Sequence, residues 1–485
     1  MHFRVEGVYQ KNPKEGRGHM NRALRNRVKR YGRRHFLKYS GASLAAFYSV
    51  PSIWAQGFTE EKGLPMSRLT FGAIGTSEYR AGVWDRSEAF DGRGSQIGRS
   101  AASHGEMLSA ADTNLPFAKR FAAYFPDRCQ ATQDYREVLA NPSIDAITIG
   151  TPDHWHVKIA VEAMRAGKHV YVEKPLSLTM AETRLIAGVA RQTGRTVQVG
   201  SQQRTESLHF LRAAAICRSG RLGKIREVYC SCPGNETIGH RGMLDDRTPF
   251  KPQPIPDGFD WNTWLGPAPW SEYFLERCFY NFRWWLDYSG GEITNWGGHN
   301  VDFGVWAAGL TEQMPIAVEG TGKFPNIPNW YDTAEAFDVH FRYADGTKLR
   351  LLSGKNEVIL TGEDGRIRVN RGGLTGKPVE TLTEEENRRL EEIMREDLLQ
   401  GWDPRDFPDG NHMRNFVESI RDGRSPISTV ASTVSGINIC HMANICLRTG
   451  RSLQWDPDRY EFTDDSEATS MIARSPRAGF ETAAL

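Results

Sequence analysis

The 485 residues are 39% hydrophobic and 25% charged, an ordinary balance for soluble globular domains, and the chain is long enough for two or three of them. The net charge of +2 is unevenly placed: residues 1–57 hold twelve Lys/Arg against two Asp/Glu, a surplus of ten that leaves the rest at −8. A mildly acidic body argues against nucleic acid or anionic membrane as a general partner. The seven cysteines are dispersed and show no CxxC pairing, so neither a structural zinc site nor a disulfide scaffold is indicated.

In chain order, the first feature is "RRHFLK" (Arg33–Lys38), followed by the small and apolar run "YSGASLAAFYSVPSIWA" and a cleavage point after Ala55. Charge, apolar run and small-residue end in this order resemble a twin-arginine export signal, which carries folded proteins. Residues 1–57 are therefore expected to engage the twin-arginine export machinery and to send the protein to the periplasm or an equivalent compartment. The apolar run is too short and too rich in Gly and Ser to favour a membrane span.

From Leu69 apolar strands alternate with amphipathic helices. "LTFGAIG", "EMLSAAD", "IDAITIGTP", "KHVYVEKP" and "TVQVGSQQR" read as strands. "IGRSAASHG", "LPFAKRFAAYF", "HVKIAVEAMRAG" and "TMAETRLIAGVARQTG" read as the helices between them. This rhythm predicts an α/β fold, a parallel doubly wound sheet over residues 67–204. The rhythm then changes. "LHFLRAAAICRSGRLG" reads as a helix and "KIREVYCSCPG" as an alternating strand. "EAFDVHFRYADGTKLRLLSG" and "NEVILTGEDGRIRVN" read as hairpins with Asp-Gly turns. Residues 205–457 are thus expected to form an α+β domain with a largely antiparallel open sheet, finished by helices near 411–423 and 430–449. Residues 458–485 form a tail laid across a surface.

Several positions carry chemistry. Gly72–Arg99, "GAIGTSEYRAGVWDRSEAFDGRGSQIGR", begins as a strand entering a glycine turn and ends as a glycine turn opening a helix, with an insertion between. Asp112, at the end of the second strand, suits the adenosine ribose hydroxyls and opposes a 2′-phosphate, favouring NAD over NADP; it equally suits a helix cap. "GTPDHWH" (Gly150–His156) and "EKPL" (Glu173–Leu176) sit at carboxyl ends of later strands, where doubly wound sheets bind ligands. His154 and His156, beside Asp153, are spaced i, i+2 across a Pro-containing turn without a third metal ligand nearby, so no metal is expected.

The glycine turn, "TPDHWH", "EKPL" and the later "GGHNVDFGVWAAG", in this order, together resemble the Gfo/Idh/MocA oxidoreductases, over about residues 67–465. "YNFRWWLDYSGG" resembles an exported bacterial subgroup. The resemblance implies a nicotinamide cofactor held by Gly75, Thr76, Ser77, Gly92, Arg93 and Gly94, with the residue 78–91 insertion folding over the dinucleotide or forming a plain surface loop. Thr151, Pro152, His154, His156 and Glu173 would lie along the cofactor, and Gln202 and Arg204 near its nicotinamide end. Lys174 would hold the substrate hydroxyl beside the nicotinamide, or else pair with Glu173. His299 would take the hydroxyl proton, a role its near-neutral pKa suits, or else serve as a capping or core histidine. Many family members carry Asp where this chain has Asn295, which can hold a hydroxyl but not receive a proton. His299 would then act alone or with Asp302, which could bind substrate or simply charge its helix. Arg283, Trp284 and Tyr288 would line the substrate side, or form an aromatic core.

The family implies a sugar, sugar derivative or cyclitol as substrate and pairing of subunits through the open sheet. Export of a folded protein implies that the cofactor travels bound and is recycled in place. Either one sugar's oxidation is coupled to another's reduction, or one substrate is oxidised, cleaved and re-reduced without net redox change. A sugar-binding relative without catalysis is the third alternative.

Overall fold

The computed structural model describes residues 68–77, 92–205, 208–233, 247–403 and 412–483; the expected export signal and the 78–91 insertion lie outside these. In the first layer the strands are β1 (Leu69–Ile74), β2 (Gly105–Ala111), β3 (Gln130–Thr132), β4 (Ala146–Ile149), β5 (His169–Val172) and β6 (Val197–Val199). They form a six-stranded sheet in the order β3-β2-β1-β4-β5-β6, and every neighbouring pair is parallel. The intervening helices are α1 (Arg93–Ala102), α2 (Leu115–Ala122), α3 (Tyr135–Ala140), α4 (Asp153–Arg165) and α5 (Met180–Thr193). A capping box of Thr179 and Glu182 fixes the start of α5. The strand order reverses between β1 and β4, which opens a crevice at their carboxyl ends.

β3 and α3 are absent from the sequence reading. β3 is three residues, Gln-Ala-Thr, with no apolar run, and α3 is six residues long, so neither produces a periodic signal.

α6 (Leu208–Arg218) leads into the second layer, a nine-stranded sheet of order β13-β12-β11-β7-β10-β9-β8-β14-β15. Its centre is built from β7 (Ile225–Cys232), β8 (Ala317–Lys323), β9 (Ala336–Arg342), β10 (Lys348–Ser353) and β11 (Glu357–Gly362). One edge is β12 (Arg366–Asn370) and β13 (Gly373–Thr375); the other is β14 (Leu453–Asp456) and β15 (Glu461–Phe462). Pairing is antiparallel except for β7 with β10. The expected hairpins are β9–β10 and β11–β12. On the sheet lies α7 (Gly297–Ala308), whose Gly304 meets Val228 and Cys230 of β7.

The carboxy-terminal helices divide between the layers. α8 (His412–Asp422), expected in the second domain, packs against the first sheet. Its Met413, Phe416, Val417 and Ile420 join Leu69, Phe71, Ile97 and Tyr171 in one apolar cluster. Its amphipathic pattern fixes that a face is buried, not which sheet buries it. α9 (Val430–Thr449) has the length and apolarity of a membrane span, but it lies buried in the core. Gly436 of α9 brings its backbone against Asp302 of α7.

Residues 247–290 are ordered around an aromatic cluster that includes Trp261, Trp264, Trp284, Trp285 and Tyr288. The tail ties this cluster to α4. Arg474 donates to the Asp287 carbonyl (2.7 Å), and Lys158 Nζ donates to the Glu481 carbonyl (2.7 Å).

Candidate active site

The two halves of the interrupted glycine stretch meet in space. Gly75 ends β1 with φ +77°, and its N–H donates to the Ala111 carbonyl (2.9 Å). A Cβ on Gly94 would lie 1.7 Å from the Gly75 carbonyl oxygen, and one on Gly150 would lie 2.5 Å from the Gly94 Cα. Only residues without side chains allow this three-way approach. It sets the start of α1 against the carboxyl ends of β1 and β4, with no side-chain cap among the described residues. An uncapped helix N-terminus reached through glycines is suited to a pyrophosphate. Nearby, the buried hydroxyls of Thr76, Ser95 and Thr151 have no hydrogen-bond partner among the described residues. Asp112 completes the turn: Oδ2 accepts from the Thr76 N–H and Oδ1 from the Asn114 N–H, both at 2.9 Å. Burial raises its pKa to about 6 against these lowering hydrogen bonds. The Ser77 N–H also bonds this carboxylate, which keeps lone-pair capacity for a ribose hydroxyl. Glycine cradle, uncapped helix and ribose acceptor together fit a dinucleotide.

The turn opens into a cleft of about 500 Å³. Gly75, Ser77, Gly92, Arg93, Gly94, Asp112, Thr151, Pro152 and His156 line it together with Glu173, Lys174, Gln202, Arg283, Asn295 and His299. His156 braces the floor, with Nδ1 on the Pro175 carbonyl (2.7 Å) and Nε2 on the Thr151 carbonyl (2.9 Å). Glu173 Oε1 accepts from Arg93 Nε and Gln202 Nε2, both at 2.8 Å, linking the start of α1 to the ends of β5 and β6.

Lys174 does not pair with Glu173 through its ammonium. Its Nζ donates to Asn295 Oδ1 (2.9 Å) and to the Asn295 carbonyl (3.1 Å). Burial, then repulsion from Arg283, lowers its pKa to about 8 against the pull of Glu173, Asp153 and Glu292. Arg283 Nε reaches the same Oδ1 at 3.3 Å, while its guanidinium lies over the rings of Tyr280 and Phe282. His299 is held well below its ordinary pKa by burial and by Lys174, Arg371 and Arg93, so its ring is neutral at pH 7. Its Nδ1 has no partner among the described residues.

Six expected site residues lie elsewhere. His154 is buried among Trp264, Trp155 and Tyr288, with Nε2 on the Trp264 carbonyl (3.0 Å), and burial lowers its pKa to about 3. As part of an α4 face turned from the cleft, it serves packing. Arg204 and Asp302 bind each other: Nε to Oδ2 at 2.9 Å and Nη2 to Oδ1 at 2.6 Å, with Ser432 taking further donors. This bidentate pair is buried and locks the segment after β6 to α7 and α9, leaving neither member in the cleft. Trp284 and Tyr288 are fully buried in the aromatic cluster, Tyr288 accepting from Arg277 (2.8 Å). Thr76 is buried behind the cleft wall. Conversely, Trp296 and Arg371 line the cleft, with the guanidinium 4.8 Å over the indole. Trp296 stands immediately before the quoted "GGHNVDFGVWAAG". Arg371 arrives on the β12–β13 turn, and no sequence pattern ties that turn to the site.

Two family models account for most of the chain. One, described as an oxidoreductase family with an NAD-binding Rossmann fold, matches residues 72–201. The other, the same family's carboxy-terminal alpha/beta domain, matches 234–375 and 397–482. The chain belongs to the Gfo/Idh/MocA oxidoreductase family. NAD is the dinucleotide that its glycine turn and Asp112 fit. A 1,5-anhydro-D-fructose reductase from Ensifer adhaerens is 32% identical over 130 residues, 26% of this chain and 38% of that protein. A glycosyl hydrolase family 109 protein from Shewanella is 35% identical over 96 residues, 18% of this chain and 21% of that one. This chain thus spans well under half the length of these curated relatives. The crystal structure of a WlbA dehydrogenase from Chromobacterium violaceum, in complex with NADH and UDP-GlcNAcA, shares the fold. Its TM-score is 0.58 at 14% identity, over 82% of this chain and 98% of that one.

Gly94→Ala forces the cradle apart, because the new methyl meets backbone. We expect NAD binding, followed by calorimetric titration, to weaken about 100-fold, roughly 2.7 kcal/mol. Unchanged affinity in a normally folded variant would remove the cradle from the cofactor site.

Proposed function

We propose that this protein is an exported NAD-dependent oxidoreductase acting on a sugar, sugar derivative or cyclitol. The observation that carries the reading is the convergence of Lys174 and His299 on one cleft that begins at the glycine cradle. NAD, when bound, supplies the hydride acceptor. Gly75, Gly92 and Gly94 would hold its phosphates and Asp112 its ribose. Neutral His299 can accept the substrate hydroxyl proton, since one of its ring nitrogens is unprotonated at pH 7. Lys174, a cation below about pH 8, would steady the oxygen as it gains charge. Buried walls and the aromatic faces of Tyr280 and Trp296 exclude water and suit the apolar face of a ring.

A second reading, cleavage of a glycoside through transient oxidation without net redox change, is favoured by the glycosyl hydrolase relative. A retained cofactor, recycled in place, fits an exported protein under either reading. Export itself is supported by the Arg33–Arg34 motif and the apolar run behind it.

A panel of sugars, uronic acids and cyclitols, followed by reduced-nicotinamide absorbance and by product analysis, tests the assignment. The pH profile should form a plateau that falls above about pH 8, as Lys174 loses its proton, and extends well below 6.5, because His299 stays neutral there. Lys174→Ala should lose about 100-fold or more in turnover; full activity in that variant refutes the catalytic reading. Cleavage products without any nicotinamide signal select the second one. Arg33→Lys with Arg34→Lys should hold the protein in the cytoplasm, and unchanged periplasmic yield would reject the export signal.

A further inference from the structure

Behind Asn295, outside the cleft lining, lies a carboxylate that the proposed chemistry does not use. Glu292 opens the short helix Glu292–Asn295 and is fully buried. Its Oε2 accepts from Asn295 Nδ2 at 3.2 Å, and its Oε1 has no hydrogen-bond partner among the described residues. The other end of the same amide, Oδ1, accepts from Lys174 Nζ and Arg283 Nε. Two cations therefore converge on a neutral oxygen. Turning the amide over would set its NH2 group against both cations and its carbonyl against a carboxylate. Only one orientation is tolerated while Glu292 is present.

We propose that Glu292 is a positioning residue for Lys174: it fixes the Asn295 amide with its carbonyl toward the ammonium and supplies the buried negative charge that balances it. The assignment rests on the reading of Lys174 as the cation at the substrate oxygen. The charged and titratable groups facing Glu292 are Lys174 after β5, Arg283 and Tyr280 of the helix Phe279–Trp284, and Cys232 of β7. Those acting on Lys174 are Arg283, Glu173, Asp153 and Glu292, and Lys174 in turn acts on His299. Burial raises the Glu292 pKa to about 7, just below that of Lys174. The carboxylate is thus ionised through the range in which the lysine begins to lose its proton.

The test needs no substrate. The full chain, labelled with [ε-13C]lysine, is titrated by NMR, and the Lys174 signal is identified by its loss in Lys174→Ala. Glu292→Gln keeps an acceptor for Asn295 Nδ2 but removes the charge, so the Lys174 midpoint should fall by about one pH unit. Adding Asn295→Asp to Glu292→Gln returns a carboxylate to the network and should restore the midpoint. A midpoint unmoved in folded Glu292→Gln overturns the proposal. Should that variant not fold, the wild-type Lys174 signal decides. It should show a second inflection near pH 7 from Glu292, and its absence overturns the proposal equally. These readings are independent of turnover. Full activity in Lys174→Ala would refute the catalytic reading alone, and an unmoved midpoint would refute the Glu292 assignment alone.

Discussion

Lys174 is a cation carried into the protein interior, where desolvation favours its neutral form. What keeps it charged near neutral pH is the set of oxygens and carboxylates that two domains bring to it. β5 of the first sheet delivers the lysine, and the short helix before α7 delivers the Asn295 carbonyl and side-chain oxygen that it contacts. The site therefore exists only while the layers keep their docking. Hydrogen bonds near 3 Å tolerate little displacement, so every element that fixes the docking also acts on the chemistry.

Several buried contacts perform that fixing. The Arg204–Asp302 pair joins the end of the first domain to α7, the helix carrying His299. Glu173, beside Lys174, is tied to Arg93 at the mouth of the cradle and to Gln202 beyond β6. The phosphate end and the reactive end of the cleft are thereby coupled through one carboxylate. α8 returns from the second domain to pack under β1 and β5, and the tail clasps α4 to the aromatic cluster. A separately folding Rossmann unit would lack both contacts. The chain instead interleaves its domains around the cleft.

Much of this was legible in the residues. Parallel strands follow from apolar runs separated by amphipathic helices, and both Asp-Gly hairpins follow from their turns. Lys174 and His299 reach one cleft as their motifs require, and the split glycine stretch closes because Gly75 and Gly94 can touch. The misses share a cause: sequence reports that a side chain is polar or aromatic, not what it faces. Arg204 and Asp302 look like ligand groups until their mutual bidentate geometry is seen. Trp284 and Tyr288 look like a sugar platform but pack into a core. His154 shares a motif with cleft-lining His156 yet lies on another face of α4, since residues two apart on a helix do not point together. Glu292 gave no signal, because its meaning depends on Asn295 being neutral and on two cations arriving from distant segments.

The central claim is that one continuous cleft joins the glycine cradle to the Lys174–Asn295–His299 group, so that a dinucleotide bound at the first presents its reactive ring at the second. A crystal structure of the full chain with NAD tests it most directly. The account predicts pyrophosphate oxygens on the N–H groups at the start of α1, a ribose on Asp112, and the nicotinamide ring beside Lys174 with an open face toward His299. A dinucleotide bound elsewhere, or one whose nicotinamide points away from Lys174, would contradict it.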